Sequence, residues 1–485
     1  MIQCSDVKWY RIKIQQMLIL LGMFWGFQSI AQSNEMYGNI VGQDTAPAAN
    51  ISQRNVGEFT GNARYVAMST RQFHQQMNAH AQAISLMLKY TSPVYKHFQT
   101  GISGAWIQSL YTSDLGFQDP VTGARNRYEI GLFDQAHYRY KPSLFRAEEL
   151  YIRYTSHAFS VITGRYALDI PFINEQDGRM RPTLVQGVSA VGNLHSKWKM
   201  DAGWLNAVLP RGTMHWMHFP ASTGVYAAGK ARTGLGLSNT DSFTSSGVLY
   251  ASLQFQPTTN FQAEALSQTF AGVMHHSYLQ VRWGNIEADS GKFMLAMRVI
   301  RQDAIHSADA VDHVSRFIES GQNAWILSSR IARRWKRHLF MLNHTRITVQ
   351  GKFLMPREWG REPFYTFIPR ERLEGAGNVH AISFVYENRP MSKHWFVSLA
   401  ISSVKMPSVY DTRLNTYGIG SYLHSKCEVG MYPIPKKQNW ELRLLLIHKY
   451  PLGPQIPQIQ HMVNKVRLLH LTITLNYTFT QPLKS

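Results

Sequence analysis

Hydrophobic and polar residues alternate one by one along much of this chain, most plainly near its far end. Residues 469–479 read Leu-His-Leu-Thr-Ile-Thr-Leu-Asn-Tyr-Thr-Phe. A strand sends successive side chains to opposite faces. Leu469, Leu471, Ile473, Leu475, Tyr477 and Phe479 therefore share an apolar face, and His470, Thr472, Thr474, Asn476 and Thr478 a polar one. The same period recurs upstream. Ile84, Leu86, Leu88 and Tyr90 stand against Ser85, Met87 and Lys89; Leu150, Ile152 and Tyr154 against Tyr151 and Arg153. Trp198, Met200, Ala202 and Trp204 stand against Lys199, Asp201 and Gly203, and Leu279, Val281 and Trp283 against Gln280 and Arg282. Phe293, Leu295, Met297 and Val299 face away from Arg298, and Trp440, Leu442 and Leu444 from Glu441 and Arg443. Period two repeated this often is the signature of strands. Aromatics such as Tyr90, Tyr154, Trp204, Trp283, Trp395, Trp440, Tyr477 and Phe479 fall at segment ends, as interfacial girdles do.

The alternation predicts an all-β transmembrane antiparallel β-barrel, in which only every second residue meets lipid. Hydrophobic residues make up 44% of the chain yet are scattered, which argues against a bundle of membrane helices. The first 31 residues carry Lys8, Arg11 and Lys13, then an apolar run from Met17 to Phe27, then Ser29-Ile30-Ala31. That order predicts a secretory signal cleaved before Gln32. The alternative, an N-terminal anchor, needs roughly 20 apolar residues, more than this run supplies. Residues 32–78 lack clear alternation and read as an N-terminal lead-in. The barrel is expected over 79–479, with a tail at 480–485. At roughly 25 residues per strand with its loops, the remaining chain provides about 18 strands, with 16 as the alternative.

Composition narrows the chemistry. Only Cys427 lies outside the predicted signal, so neither an intramolecular disulfide nor a cysteine-based metal site is expected. The chain carries a net charge of +20, and removing the signal, with Lys8, Arg11 and Lys13 against Asp6, leaves +18. No basic run or nucleic-acid motif accompanies the charge, so nucleic acid is not an expected partner. Solvated loops or a basic pore interior that draws in anions remain open. Gly224–Lys230 nearly matches a phosphate-binding loop, but Ala231 stands where a magnesium-holding hydroxyl belongs. His215 and His218, or His275 and His276, lack a third ligand at a diagnostic spacing. No catalytic residue, metal or cofactor is assigned.

The segment 164–187 has the densest pattern. Gly164-Arg165 closes a strand, Leu168 and Pro171 follow, and Asn174, Asp177, Gly178, Arg179 and Pro182 form a stiffened turn before Gln186-Gly187. With the preceding Arg146-Ala-Glu-Glu-Leu-Tyr-Ile-Arg-Tyr154, this resembles the OprD-type family of outer-membrane porins, and the match covers about residues 146–187. The resemblance implies an 18-stranded barrel in the cell outer membrane with a pore in each monomer, loose homotrimers, and insertion by the outer-membrane assembly machinery. It also implies passage of small solutes, often carboxylates, along wall arginines and past a loop-built constriction. The chain departs from the family in continuing past Phe479 to Ser485, and in its heavy basic balance.

The expected function is passive, partly selective diffusion of small polar solutes. Arg153, Arg165, Arg282, Arg298 and Arg443 are the candidate wall ladder, and Asp177, Arg179 and Arg181 the candidate constriction. Arginine offers bidentate sites for a carboxylate. Each can equally serve in an ion pair with a wall glutamate such as Glu149, Glu264 or Glu441. Two rivals stand beside the porin: an outer-membrane lipid hydrolase with Ser and His on the lipid-facing wall, and a closed scaffold or adhesin plugged by residues 32–78.

Overall fold

The computed structural model describes residues 56–483 except 73–76, 138–141, 177, 227–244, 287–292, 306–316, 389–393, 433–438 and 454–457. Eighteen strands form one antiparallel sheet closed on itself. In chain order they are β1 Glu58–Gln72, β2 Ala79–Thr91, β3 Phe98–Thr112, β4 Ser143–Thr155, β5 Phe159–Tyr166 and β6 Leu184–His195. There follow β7 Trp198–Leu209, β8 Val248–Thr258, β9 Phe261–Phe270, β10 Met274–Trp283, β11 Phe293–Ala304 and β12 Asn323–Trp335. The last six are β13 His338–Ile347, β14 Val379–Asn388, β15 Trp395–Lys405, β16 Tyr422–Met431, β17 Trp440–Pro451 and β18 Leu468–Pro482. A two-residue strand, Met217–His218, adds beside β7. Each strand pairs with its sequence neighbours, and β1 closes the wall on β18, with Glu58 opposite Pro482. Closure removes the edges that would leave backbone groups unpaired in lipid.

The alternation becomes two faces. Leu88 is 61% exposed and Leu150 57%, whereas Ser85 and Tyr151 are buried inside. Tyr90, Phe98, Tyr154 and Phe159 pack against one another or their neighbours at one rim. That rim has short turns, such as 196–197, 259–260 and 336–337; the other carries the long loops 113–142, 167–183, 210–247 and 348–378. Among the described residues no helix is long and apolar enough to cross a membrane.

Two boundaries differ from the sequence reading. The barrel begins at Glu58, inside the stretch read as a lead-in, and β18 runs through Thr480 to Pro482. In β1 the outward positions include Gly61, Ala63, Ala67 and Ser69, while Val66 and Met68 point inward and are buried. Small outward and apolar inward residues invert the usual contrast, so the alternation was faint. The predicted signal, residues 1–31, lies outside the described residues.

Candidate functional site: an arginine-lined passage

The loop 348–378 turns into the barrel. From Gly351 to Gly360 every residue is buried, which is foreign to a surface loop. Its sequence explains this. Phe353, Met355, Phe364 and Leu373 pack against wall residues Tyr278, Ile300, Ile326 and Val379. Trp359 meets Phe219 and Phe270 edge-on at 4.8 and 4.9 Å, and its Nε1 donates to Ser222 Oγ at 2.9 Å. Burying each large apolar side chain favours docking by roughly 1.5–3 kcal/mol. Between these anchors stand two charged pairs, Arg357-Glu358 and Arg361-Glu362, and the charged triplet Arg370-Glu371-Arg372.

Three groups fix the loop. Glu371 accepts from Lys449 Nζ at 2.5 Å and from both terminal nitrogens of Arg127, at 3.0 and 3.3 Å. Burial pushes its carboxyl upward, yet Arg127, Lys449 and Arg357 together hold it well below the usual range. Glu362 accepts from the backbone N–H groups of Leu373 and Glu374 at 2.8 and 2.9 Å, pinching the loop shut on itself. Asn174 stitches on the neighbouring loop. Its Nδ2 donates to the Arg361 carbonyl at 3.0 Å, its Oδ1 accepts from the Arg361 N–H at 2.9 Å, and its own N–H reaches the Trp359 carbonyl at 3.0 Å. Gly360 sits there at φ +145°, where a Cβ would lie 2.6 Å from the Asn174 side chain.

Against this loop lies a cavity of about 590 Å³. One side is barrel wall: Asn62 and Arg64 of β1, Lys426 and Glu428 of β16, Glu441 and Arg443 of β17, and Thr472, Thr474, Asn476 and Thr478 of β18. The other side is loop: Arg127, Arg179, Arg211, Arg357, Arg361, Arg370 and Arg372. With Arg298 and Arg330, eleven arginines and Lys426 face six carboxylates, so the lining is strongly positive. Some of these arginines are neutralised, Arg357 by Glu374 at 2.6 Å and Arg443 by Glu441 at 2.7 Å. Others are crowded by like charge. Arg370 and Arg372 are each pulled down to about 10 by burial, and next by Arg179 and Arg357 respectively. Arg211 is driven well below its ordinary value by burial, Arg179 and Arg372. Nε of Arg211, Nη1 of Arg330 and Nη1 of Arg372 are buried without a hydrogen-bond partner. Arg370 adopts φ +80°, a left-handed conformation costing an L residue roughly 1–3 kcal/mol. That conformation aims its side chain at β18, where it donates to His470 Nε2 and Thr472 Oγ1, both at 2.8 Å. Chemically, the passage offers several partly desolvated guanidinium donors to an anion, facing hydroxyl and amide groups.

The sequence-selected residues fall in several places. Arg298 and Arg443 line the cavity, as does Arg179, whose Nη1 donates to Gln135 Oε1 at 3.0 Å. Arg298 lies 4.0 Å from the Tyr365 ring centre, with Arg330 on the same ring at 4.5 Å. Arg153 and Arg282 belong to the inner face near the short-turn rim, beside Tyr151 and Gln262. Arg181 is held by both oxygens of Glu148, at 2.7 and 2.6 Å, and is not part of the cavity lining. Asp177 lies outside the described residues. Arg165 does not face the channel. Its register partner is Leu150, on the outer wall, and it donates to Gln186 at 2.8 Å and stacks 4.9 Å from Trp216. Of the wall glutamates proposed as alternative partners, Glu441 pairs with Arg443, and Glu149 takes Lys89 at 2.7 Å. The 348–378 arginines were missed because no periodicity marks them. The usable signal was arginine–glutamate neighbours set among Trp359, Phe364, Tyr365 and Phe367.

No family model matches the chain, and no curated protein is similar to it in sequence. Solved structures are similar in fold. OccK9 (OpdG) of Pseudomonas aeruginosa superposes with a TM-score of 0.67 at 11% identity, covering 88% of this chain and 98% of its own. OccK1 (OpdK) of the same organism gives 0.65 at 11% identity, covering 88% and 99%. OccAB4 of Acinetobacter baumannii gives 0.64 at 12% identity, with the same coverage. These neighbours are OprD/Occ porins.

Proposed function

We propose that this protein, built on the fold of the OprD/Occ porins, is an outer-membrane channel for passive diffusion of small anionic solutes, carboxylates above all. The observation that carries the reading is the cavity lining, eleven arginines and Lys426 against six carboxylates, with Arg211 and Arg370 both buried beside Arg179. Crowded, partly desolvated guanidinium groups gain from an entering carboxylate, and several in succession let it move from one to the next. The polar wall opposite, with Thr472, Thr474 and Asn476, supplies exchangeable hydrogen bonds without trapping charge. One neighbour, OpdK, has been solved with vanillate, an aromatic carboxylate. No reaction is assigned: the work is a field and a constriction.

The test is single-channel recording of the purified chain in a planar bilayer under a salt gradient. Stable ohmic openings with an anion-side zero-current potential, and a conductance reduced saturably by benzoate, are expected. Arg370→Gln with Arg372→Gln should move the potential toward cations. Wild-type selectivity in that variant at low salt would overturn the reading.

A further inference from the structure

The outer wall carries a second cationic feature, unrelated to the lumen. Arg346 of β13 lies directly opposite His380 of β14, and His380 directly opposite Lys405 of β15. All three project outward, since they alternate with buried Thr345, Ala381 and Val404. His344 adds a second imidazole, its ring 6.2 Å from that of His380. Like charges directly opposite one another destabilise a strand pair. Elsewhere the wall avoids this: Arg301 on β11 is paired with Asp303 at 2.8 Å. Arg346, His380 and Lys405 have no carboxylate partner among the described residues. Arg346 is held outward by its own rim, donating to the Ile347 and Val379 carbonyls and to Asn378 Oδ1, at 2.6, 3.1 and 2.9 Å.

Height fixes what faces this row. Below it the outward side chains are Leu342, Ile382, Phe384, Leu399 and Ile401, all exposed. β15 runs from Trp395 to Lys405. Ten residue steps of ~3.3 Å, tilted ~45°, rise ~23 Å, close to the ~25 Å apolar band of an outer-membrane barrel. Trp395 therefore marks the lower interface, and the cationic row sits at the upper one, on the long-loop side that faces outward. Guanidinium and ammonium groups at that level meet lipid headgroups rather than solutes in the pore.

We propose that Arg346, His380 and Lys405 form a docking site for the phosphate of an anionic outer-leaflet lipid. The inference rests on the reading of this chain as an outer-membrane barrel. A phosphate supplies the charge that the row lacks and accepts from the fork of Arg346, from Lys405 and from a ring N–H of His380 between them. The lipid's acyl chains then lie along Ile382, Phe384 and Ile401.

The test is native mass spectrometry of the purified full chain with bisphosphorylated lipid A and with dephosphorylated lipid A of equal acylation. Wild type should retain the phosphorylated form preferentially. Arg346→Gln with Lys405→Gln should lose about fivefold in retention per charge removed. Arg333→Gln, on the outer wall of the opposite rim, should change nothing. Equal retention of both lipids by wild type overturns the proposal, and needs no variant to fold. So does displacement of the lipid by excess inorganic phosphate, which marks a free-anion site. Planar-bilayer conductance of the same preparation separates the two readings. Lipid preference without conductance overturns the porin and keeps this site; conductance without lipid preference does the reverse.

Discussion

Glu371 and Arg372 are adjacent and do opposite work. Glu371 is buried against Lys449 and Arg127, with Arg357 further off at 3.7 Å, so Glu371→Gln leaves Lys449 and Arg127 without their carboxylate, a loss of roughly 3–5 kcal/mol in loop docking. Open-channel noise and mean conductance should both rise in single-channel traces. Arg372 is a crowded cation whose Nη2 reaches Gln176 Oε1 at 2.6 Å. Arg372→Gln should leave noise at the wild-type level and weaken anion preference. Glu362 gives a pH dependence. Burial pushes its carboxyl up to about 7. Between its ordinary value and about 7 the folded chain keeps a proton that the unfolded chain has lost, so this contribution to stability falls as pH rises through that window. The lumen also gains positive charge as pH falls. Anion preference should therefore increase from about pH 8 to about pH 6, read as a shift in zero-current potential. Glu362→Gln should show the low-pH preference throughout; a variant that still titrates would assign the effect to another group.

At the scale of elements, the loops 167–183 and 348–378 are held as one piece. Asn174 satisfies three backbone groups at Trp359 and Arg361, the two of Arg361 through its side chain. Asn174→Ala leaves buried groups unpaired, costing about 1–3 kcal/mol, and should open the 348–378 loop to protease digestion in otherwise folded barrels. An unchanged digestion pattern would show that the apolar anchors alone hold the loop. The strand phase is testable in β18. Ile473 projects outward from the barrel and Thr474 lines the cavity. Ile473→Arg should cost roughly 2–4 kcal/mol near the membrane midplane, while Thr474→Arg stays hydrated. Heat-modifiable gel mobility should show far less folded barrel for the first.

For the molecule as a whole, the question is where a net charge of +20 acts. Charge on exposed loops is screened within ~10 Å at 0.1 M salt and ~3 Å at 1 M, whereas buried groups are screened much less. Anion preference should shrink with salt yet persist at 1 M, because Arg211, Arg370 and Arg372 are walled in. Complete loss of preference at 1 M would assign the selectivity to the outer loops.

The alternation of single residues determined the strand class, the two faces and the barrel, because which face a side chain takes is settled by its immediate neighbours. It failed at β1, where Gly61, Ala63 and Ala67 outside and Val66 and Met68 inside blur that contrast. The charges were another matter. Arg181 reads as a constriction residue until Glu148 from β4 takes it. Arg165 reads as a wall arginine until register sets it opposite Leu150 on the outside. Arg370 finds its partners on β18 and Glu371 finds Lys449 on β17. An arginine's role depends on what lies across the lumen from it, and closure of the barrel brings together residues far apart in the chain. Only the tertiary structure could therefore tell an arginine paired with a carboxylate from one set beside other arginines.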